Sequence, residues 1–421
     1  MNTSNLLRWG ILGTGAIAHA FAKALAGSKT GRLVAVGSRS RESARKFGDE
    51  FGVDQGKRHE TYDALLADPD VQAVYISTPH PMHAEWAIKC VRAKKHVLCE
   101  KPLGVNFAEA SAIIQAARQN GVFLMEAFMF RCHPQIARVI GLIKQKAIGD
   151  VRVVQATFSF HWPKPFNPDS RLTSNALAGG GILDVGCYTT SMARLVAGVA
   201  AGKDGPLEPT EVKAVGHLEP TGVDGYTVAV LKFPNDVLAQ CSTGVQLNQE
   251  NVVRIFGTDG SIFMPNPWTA SRNGGATQLI LTRQGKEPET ITVECERGLY
   301  TIEADTVAEA IARGQTQATF PATSWDDTLG NLRTLDAWRS QIGVTYEFEK
   351  PENLKPVPLR RIVRSPRATM KYAKIAHLDK PLSRLCTGAD FSGHQPREFN
   401  VVADDAFERG INVFDTAHVY G

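Results

Sequence analysis

Leu7-Arg8-Trp9-Gly10-Ile11-Leu12-Gly13-Thr14-Gly15-Ala16-Ile17-Ala18 is an apolar, β-rich run that breaks on a glycine pair and opens a helical stretch from Ala16 to Leu25. In a G-x-G-x-x-A fingerprint of this kind, Gly13 makes the tight turn and Gly15 lets the backbone approach a pyrophosphate. The small Ala18 packs helix on strand, and the helix N-terminus attracts the anion. Alone, the motif is as compatible with a bare tight turn, so its surroundings decide. Leu33 to Val36, Ala73 to Ile76, His96 to Cys99 and Phe123 to Met125 also read as short strands. Helical runs lie between them at Arg41 to Phe51, Ala84 to Ala93 and Ala108 to Asn120, two of them stopped by Gly52 and Gly121. Strands and helices in alternation imply a parallel sheet with crossover helices, a dinucleotide-binding domain.

The ends of these strands carry the polar residues. Gly37-Ser38-Arg39-Ser40 closes the second, where an NAD enzyme usually has an acid for the ribose hydroxyls. An arginine flanked by hydroxyls suits a 2′-phosphate, which favours NADP; with Arg39 as a mere solvated loop charge, NAD remains possible. Later ends carry Thr78-Pro79-His80 with His83, then Glu100-Lys101-Pro102, then Glu126. Ligands of open α/β sheets bind outside the carboxyl ends of the strands, so these groups converge on the glycine loop. The expected cofactor contacts are therefore Gly13, Thr14, Gly15, Ala16, Ile17, Ser38, Arg39, Thr78, Pro79, His80, His83, Glu100 and Lys101. His80 and His83 read equally well as packed or capping histidines. Glu126, Arg131 and Arg171 are the substrate-side candidates, the last in the loop from Trp162 to Arg171.

From Val151 onward the texture changes. Val151 to His161, Val212 to Leu218, Tyr226 to Phe233, Val237 to Leu247 and Val252 to Phe256 read as longer strands, with hairpin-like turns at Pro234-Asn235-Asp236 and Thr258-Asp259-Gly260. Helical runs at Ile182 to Val196 and Thr323 to Ile342 accompany them. This is an α+β pattern with a large, open, mostly antiparallel sheet. Within it, Gly179-Gly180-Gly181-Ile182-Leu183-Asp184-Val185-Gly186-Cys187-Tyr188 stands out. A helix beginning near Gly181 sets Asp184 and Tyr188 four apart on one face. Gly186 costs such a helix about 1 kcal/mol relative to Ala, a cost we read as room for a nicotinamide ring; the plainer reading is a glycine-rich turn before a core helix.

A chain of 421 residues is long enough for two or three cores. Its 43% hydrophobic and 21% charged residues are those of a globular protein, and 47 basic against 43 acidic residues without a like-charge run imply neither nucleic acid nor an anionic membrane as partner. Seven scattered cysteines without a CxxC suggest no disulfide framework and no metal site, and hence a cytoplasmic protein. No signal-type segment or apolar stretch of about 18 residues is present, so neither export nor membrane spanning is expected. The expected organisation is a Rossmann domain at 1–126 and an α+β substrate and oligomerisation domain at 127–350. A linker rich in proline and arginine follows at 351–369, and a further short unit at 370–421.

The glycine loop, Glu100-Lys101-Pro102, the stretch from Met125 to Pro134, Asp184-Val185-Gly186-Cys187-Tyr188 and the closing run from Leu329 to Asp336 together resemble the glucose-fructose oxidoreductase, inositol dehydrogenase and rhizopine-catabolism (Gfo/Idh/MocA) family over about residues 5 to 350. Tyr188 stands where inositol dehydrogenases have His, which is similar to the dihydrodiol and xylose dehydrogenase branch. The resemblance implies hydride exchange between NADP and a sugar, polyol or cyclic diol. It also implies Lys101 and Tyr188 as the catalytic pair, and homo-oligomers joined through the second domain's sheet. A free phenol is a poor base at neutral pH, so Tyr188 is expected to be activated by the Lys101 ammonium, with Asp184 orienting substrate or lysine; the roles of Lys101 and Tyr188 could be exchanged. A non-catalytic sugar sensor and a redox-assisted, NAD-dependent glycoside hydrolase are the alternatives.

The end of the chain, from Phe407 to Gly421, resembles the opening βα units of an aldo-keto reductase barrel, in which Asp415 and Tyr420 match two of the family's four catalytic residues. Some fifty residues fall far short of the roughly 250 of such a barrel. The sequence is therefore either a fragment of a fusion enzyme, the reading we favour, or carries a remnant, and its tail of strand, helix and strand is expected to be inactive and poorly packed.

Overall fold

The computed structural model describes residues 6–353, 364–366, 368–388 and 396–415. Tyr420 and most of the expected linker lie outside the described residues. The chain begins β1 (Leu7–Leu12), α1 (Ala16–Leu25), β2 (Gly31–Gly37), α2 (Arg41–Phe51), β3 (Arg58–His59), α3 (Tyr62–Ala67), β4 (Ala73–Ile76), α4 (His83–Arg92), β5 (His96–Glu100), α5 (Phe107–Asn120) and β6 (Leu124–Ala127). These six strands form one parallel sheet in the order β3-β2-β1-β4-β5-β6, the dinucleotide-binding order whose direction reverses between β1 and β4. Helices cover both faces, so the central strands are apolar throughout: Trp9, Ile11, Val74, Tyr75, Val97 and Leu98 are all shut off from solvent. Ser40 and Asn106 cap α2 and α5 through their side chains, and Gly52 and Gly121 end them in the left-handed conformation.

The second unit holds α6 (Pro134–Lys144), β7 (Val151–Ser159), a π-helical turn at Ile182–Gly186, α7 (Cys187–Ala200), β8 (Glu211–Leu218), β9 (Asp224–Lys232), β10 (Leu238–Gly244), β11 (Val253–Gly257), β12 (Gly260–Met264), β13 (Gly275–Arg283), β14 (Glu289–Cys295), α8 (Leu299–Ala312) and α9 (Trp325–Ile342). Its eight strands run β14-β13-β12-β11-β7-β10-β9-β8, antiparallel except for the central β7 and β10. β12 to β14 and α3, α6 and α8 were not anticipated from the sequence. β14 is a half-polar edge strand, and α8 is buried on most sides, so neither shows a clean period. α8 and α9 return to the first sheet. Thr301 donates to Ala24 O (2.9 Å), Trp325 Nε1 to Leu124 O (3.0 Å), and the Phe107 amide to Asp336 (2.8 Å).

The tail forms a small hairpin, β15 (Tyr372–Ala373) with β16 (Leu382–Ser383), followed by β17 (Thr387–Gly388), α10 (Pro396–Glu408) and β18 (Phe414–Asp415). β17 and β18 pair in parallel. The described part of the tail is thinly packed: α10 rests on α5, where Gln115 is hydrogen-bonded to Asp405 and Ala406 is buried, but Ile375, Leu378, Leu385, Val402 and Phe407 stay exposed. A hollow of about 1130 Å³ between tail and Rossmann unit is lined by residues such as Lys94, Asn120 and Arg409, and holds none of the converging site residues. Among the described residues no helix is long and apolar enough to cross a membrane.

Candidate active site

A cavity of about 940 Å³ opens where the carboxyl ends of β1, β2, β4 and β5 face β7 and the π-turn. It is lined by all thirteen residues expected to touch a cofactor, from Gly13 to Lys101, together with Arg171, Asp184 and Tyr188. The glycine loop fits a dinucleotide. Gly13 has φ +100°, and a Cβ there would press on Ser77 Oγ at 2.8 Å; Gly15 faces open space. The start of α1 has no side-chain cap and no acid in its first turn, which leaves its amides for an anion. Thr78 Oγ1, buried in the same wall, has no partner.

At the β2 end Ser38, Arg39, Ser40, Ser43 and Tyr62 stand together, and the Arg39 side chain is hydrogen-bonded to Tyr62. Ser40 is the second hydroxyl flanking Arg39 in the sequence, whereas Ser43 and Tyr62 are not among the expected residues. Ser43 was signalled by its place in the first turn after Arg39, whereas Tyr62 reaches the site only through the short β3, which has no sequence pattern.

At the opposite end Lys101 Nζ donates to the backbone oxygen of Asp184 (2.6 Å) and lies 3.4 Å from its carboxylate, which also accepts from Arg171 (2.9 Å). Burial acts to raise the Asp184 pKa, but Lys101 and then Arg171 overcome it and hold it well below the usual range. Burial likewise acts to lower the Lys101 pKa, and Asp184 overcomes it, so the net shift is upward. Tyr188 is enclosed by Phe128, Phe130, Phe158 and Trp268, with its hydroxyl towards Met129 Sδ at 3.4 Å. Burial pushes its pKa well above the ordinary value, with Tyr300 and Glu100 adding to the effect. The net effect runs against the expected activation: the Lys101 ammonium lies 5.3 Å from the ring centroid and the hydroxyl is turned to Met129, while burial and the neighbouring acids hold the phenol in its neutral form.

Other expectations change as well. Glu126 is buried outside the cavity, accepting from the Leu103 amide (2.9 Å) and Thr328 (2.8 Å); burial lifts its pKa to about 7. Arg131 is fully buried and paired with Asp327, donating also to Ser191 and Pro321 O. Both are held by core partners and neither lines the cavity, unlike Arg171. His83 bridges Pro102 O (2.7 Å) and Thr78 O (2.8 Å), tying the Lys101 turn to β4, and His80 reaches Ala178 O (3.1 Å). Burial drops the His80 pKa to about 3, so that ring is neutral.

The expected α-helical start at Gly181 is a wider π-turn. Its amides are met from outside, since Asp224 accepts from Ile182 N (2.8 Å) while Thr243 donates to Gly181 O (3.1 Å). Gly186 does not open towards a nicotinamide: a Cβ there would touch Thr243 Cγ2 (3.2 Å) and Trp338 (3.5 Å), so close packing on β10 and α9 explains it.

Two family models match. One, an NAD-binding Rossmann fold of the GFO/IDH/MocA oxidoreductases, covers residues 7–128, and the other, a C-terminal domain of the same family, covers residues 136–263. A trans-1,2-dihydrobenzene-1,2-diol dehydrogenase of Mus musculus is 32% identical over 352 residues, 82% of this chain and 99% of the relative; the Homo sapiens enzyme of that name is 30% identical over 356. Among solved structures, a 3-ketoreductase from Actinomadura kijaniata in complex with NADP and TDP-benzene superposes with a TM-score of 0.70 at 30% identity, covering 80% of this chain and 98% of that one. An aldose-aldose oxidoreductase from Caulobacter crescentus gives 0.70 at 27% identity, over 80% and 97% of the two chains.

Proposed function

The chain belongs to the Gfo/Idh/MocA family of NAD(P)-dependent oxidoreductases, and on that premise we propose that it interconverts a secondary alcohol and a carbonyl on a sugar, polyol or cyclic diol, with NADP as its preferred dinucleotide. The observation that carries the reading is one cavity with a phosphate-type cradle at Arg39 and a Lys101–Asp184–Tyr188 cluster at its other end. The bound nicotinamide supplies or takes up the hydride. The chain's own residues manage the proton. With both pKa values raised, Lys101 is an ammonium and Tyr188 a neutral phenol at physiological pH, so the resting site offers two donors to a substrate oxygen. That state suits carbonyl reduction, with Tyr188 as general acid and Lys101 holding the oxygen. Asp184 anchors the lysine against Arg171. Phe158, Phe160 and Leu177 give the pocket an apolar wall for a ring-shaped substrate.

NADP preference rests on Ser38 and Arg39, which can give charge-assisted hydrogen bonds to a 2′-phosphate where no acid repels it. The deciding experiment follows dinucleotide oxidation and reduction at 340 nm over aldoses, inositols and dihydrodiols. Turnover with NADP(H) above NAD(H), inverted in Arg39→Asp, is expected; no turnover across the panel would turn the reading towards a sensor.

Seven unpaired cysteines support a reducing, cytoplasmic setting. The outer face of the second sheet carries exposed Val215, Tyr226, Val230, Leu238 and Phe256 on neighbouring strands, interspersed with Lys213, Lys232 and Gln240, which supports association of two copies through that face. Sedimentation should find dimers that Val230→Glu disperses; a monomeric wild type would end that part of the reading.

For the tail, β17, α10 and β18 form a parallel β-α-β unit behind a hairpin, with Asp415 at the carboxyl end of its strand. Barrel enzymes keep catalytic residues at such ends, and we read the tail as aldo-keto reductase-like on that ground.

A further inference from the structure

We infer that Arg272, which nothing in the dehydrogenase reading employs, is a phosphate-binding residue that reaches the dinucleotide crevice from the second sheet. Four cationic side chains other than histidine line the cavity: Arg39, Lys101, Arg171 and Arg272. Arg39 stands at the β2 end, while Lys101 and Arg171 share the Asp184 carboxylate. Arg272 is exposed into the cavity with no carboxylate partner among the described residues. Its guanidinium lies over the ring of Tyr300, another lining residue, 5.9 Å from the centroid, which leaves the planar fork free for a ligand.

The residue is presented by a fixed turn between β12 and β13. Ser271 has φ +48°, the Gly274 amide donates to Ser271 O (2.9 Å), and Ser271 Oγ donates to Gly275 O (2.8 Å). Arg272 O accepts from the Leu299 amide (3.2 Å), and a Cβ at Gly298 would come within 2.9 Å of that oxygen, so the turn is stitched to the start of α8. α8 packs in turn on α1, the helix whose N-terminus opens onto the same cavity.

The charge balance gives the ligand class. The loop from Gly13 to Ile17 offers a pyrophosphate backbone amides but no cation, and the first two turns of α1 hold no Lys or Arg. A doubly ionised pyrophosphate in the glycine loop lacks a side-chain countercharge from the Rossmann unit, and Arg272 is the unspent cation across the cavity. The same fork would equally hold a phosphate carried by a substrate.

This inference rests on the dinucleotide reading of the cavity, and its test does not depend on turnover. NADPH and NADH dissociation constants are measured by fluorescence titration for the wild type, Arg272→Gln and Arg272→Lys, alongside KM for a free sugar and a nucleoside-diphosphate sugar. A tenfold or greater weakening of NADPH and NADH alike in Arg272→Gln, partly restored in Arg272→Lys, assigns the residue to the pyrophosphate. Arg39→Asp differs in weakening NADPH alone. Unchanged dinucleotide binding with KM raised only for the phosphorylated sugar assigns it to the substrate. Unchanged values for all four ligands in both variants overturn the proposal, as does weakening that merely tracks a lowered Tm. A wild type that binds NADPH but turns nothing over would defeat the dehydrogenase reading and leave the Arg272 result standing.

Discussion

Lys101 shows why a strand-end residue was legible while its working state was not. The crevice rule places any polar group after β5 at the ligand crevice, and Lys101 lines that cavity; no sequence pattern shows that its ammonium turns to Asp184. Glu126 and Arg131 mark the limit of the rule. Glu126 lies within β6 and Arg131 just after it, but one turns to Leu103 and Thr328 and the other to Asp327, partners more than twenty residues away. The proton argument makes a sharp prediction. Reduction needs the proton on its donor, so with a Tyr188 pKa above its ordinary value the reductive kcat should stay flat from neutral pH to about 9, while oxidation, which needs that proton gone, climbs with pH. Tyr188→Phe and Lys101→Met should each lower kcat by about 10²-fold with NADPH affinity unchanged, and the alkaline climb should vanish in the tyrosine variant. An oxidative rate that levels off near pH 7 would mean that the phenol is activated after all.

Elements were legible where one physical rule governed them. α1 matches its expected range because the glycine fingerprint fixes its start, and α2 because the Ser40 cap and the Gly52 stop agree, whereas the start of α7 did not follow its local sequence. There Gly179-Gly180-Gly181 reads as a flexible turn, yet the structure shows three close approaches. A Cβ at Gly179 would meet Leu172 O at 2.8 Å, one at Gly180 would overlap the Asp224 carboxylate, and one at Gly181 would meet Gly244 Cα at 2.9 Å. Gly180 also has φ +108°, a conformation side chains rarely adopt. The glycines thus let β9 and β10 seat the π-turn that holds Asp184 against Lys101, a long-range cause that a local pattern cannot reveal. Gly180→Ala should cost about 2 kcal/mol or more and lower kcat through a displaced Asp184. Thermal unfolding and steady-state kinetics check both, and a variant with wild-type Tm and turnover would show that the turn tolerates the side chain.

At the scale of the molecule, the stretch after α9 ties the second unit back to the first, close to residue 350, where linker composition and family resemblance both set the expected boundary. After α9, Tyr346 is wholly buried and donates its hydroxyl to Gly179 O (2.8 Å), against the same glycine turn. Glu349 accepts from Arg339 (2.9 Å) and from Asn106 (2.7 Å), joining this last stretch to α9 and to the cap of α5. Arg339 is itself buried, with Asp336 as its other partner. Removing Glu349 therefore strips half the countercharge from a buried guanidinium, a change that costs about 3 kcal/mol when a buried pair is broken outright. The tail, in contrast, touches the Rossmann unit chiefly through α10 on α5, and none of its described residues lines the 940 Å³ cavity. A chain ended after Asn353 should keep its Tm within a few degrees and its full turnover, while one ended after Gly343 should lose both, because the glycine turn and Arg339 lose their partners together. Equal behaviour of the two shortened chains would place the boundary elsewhere.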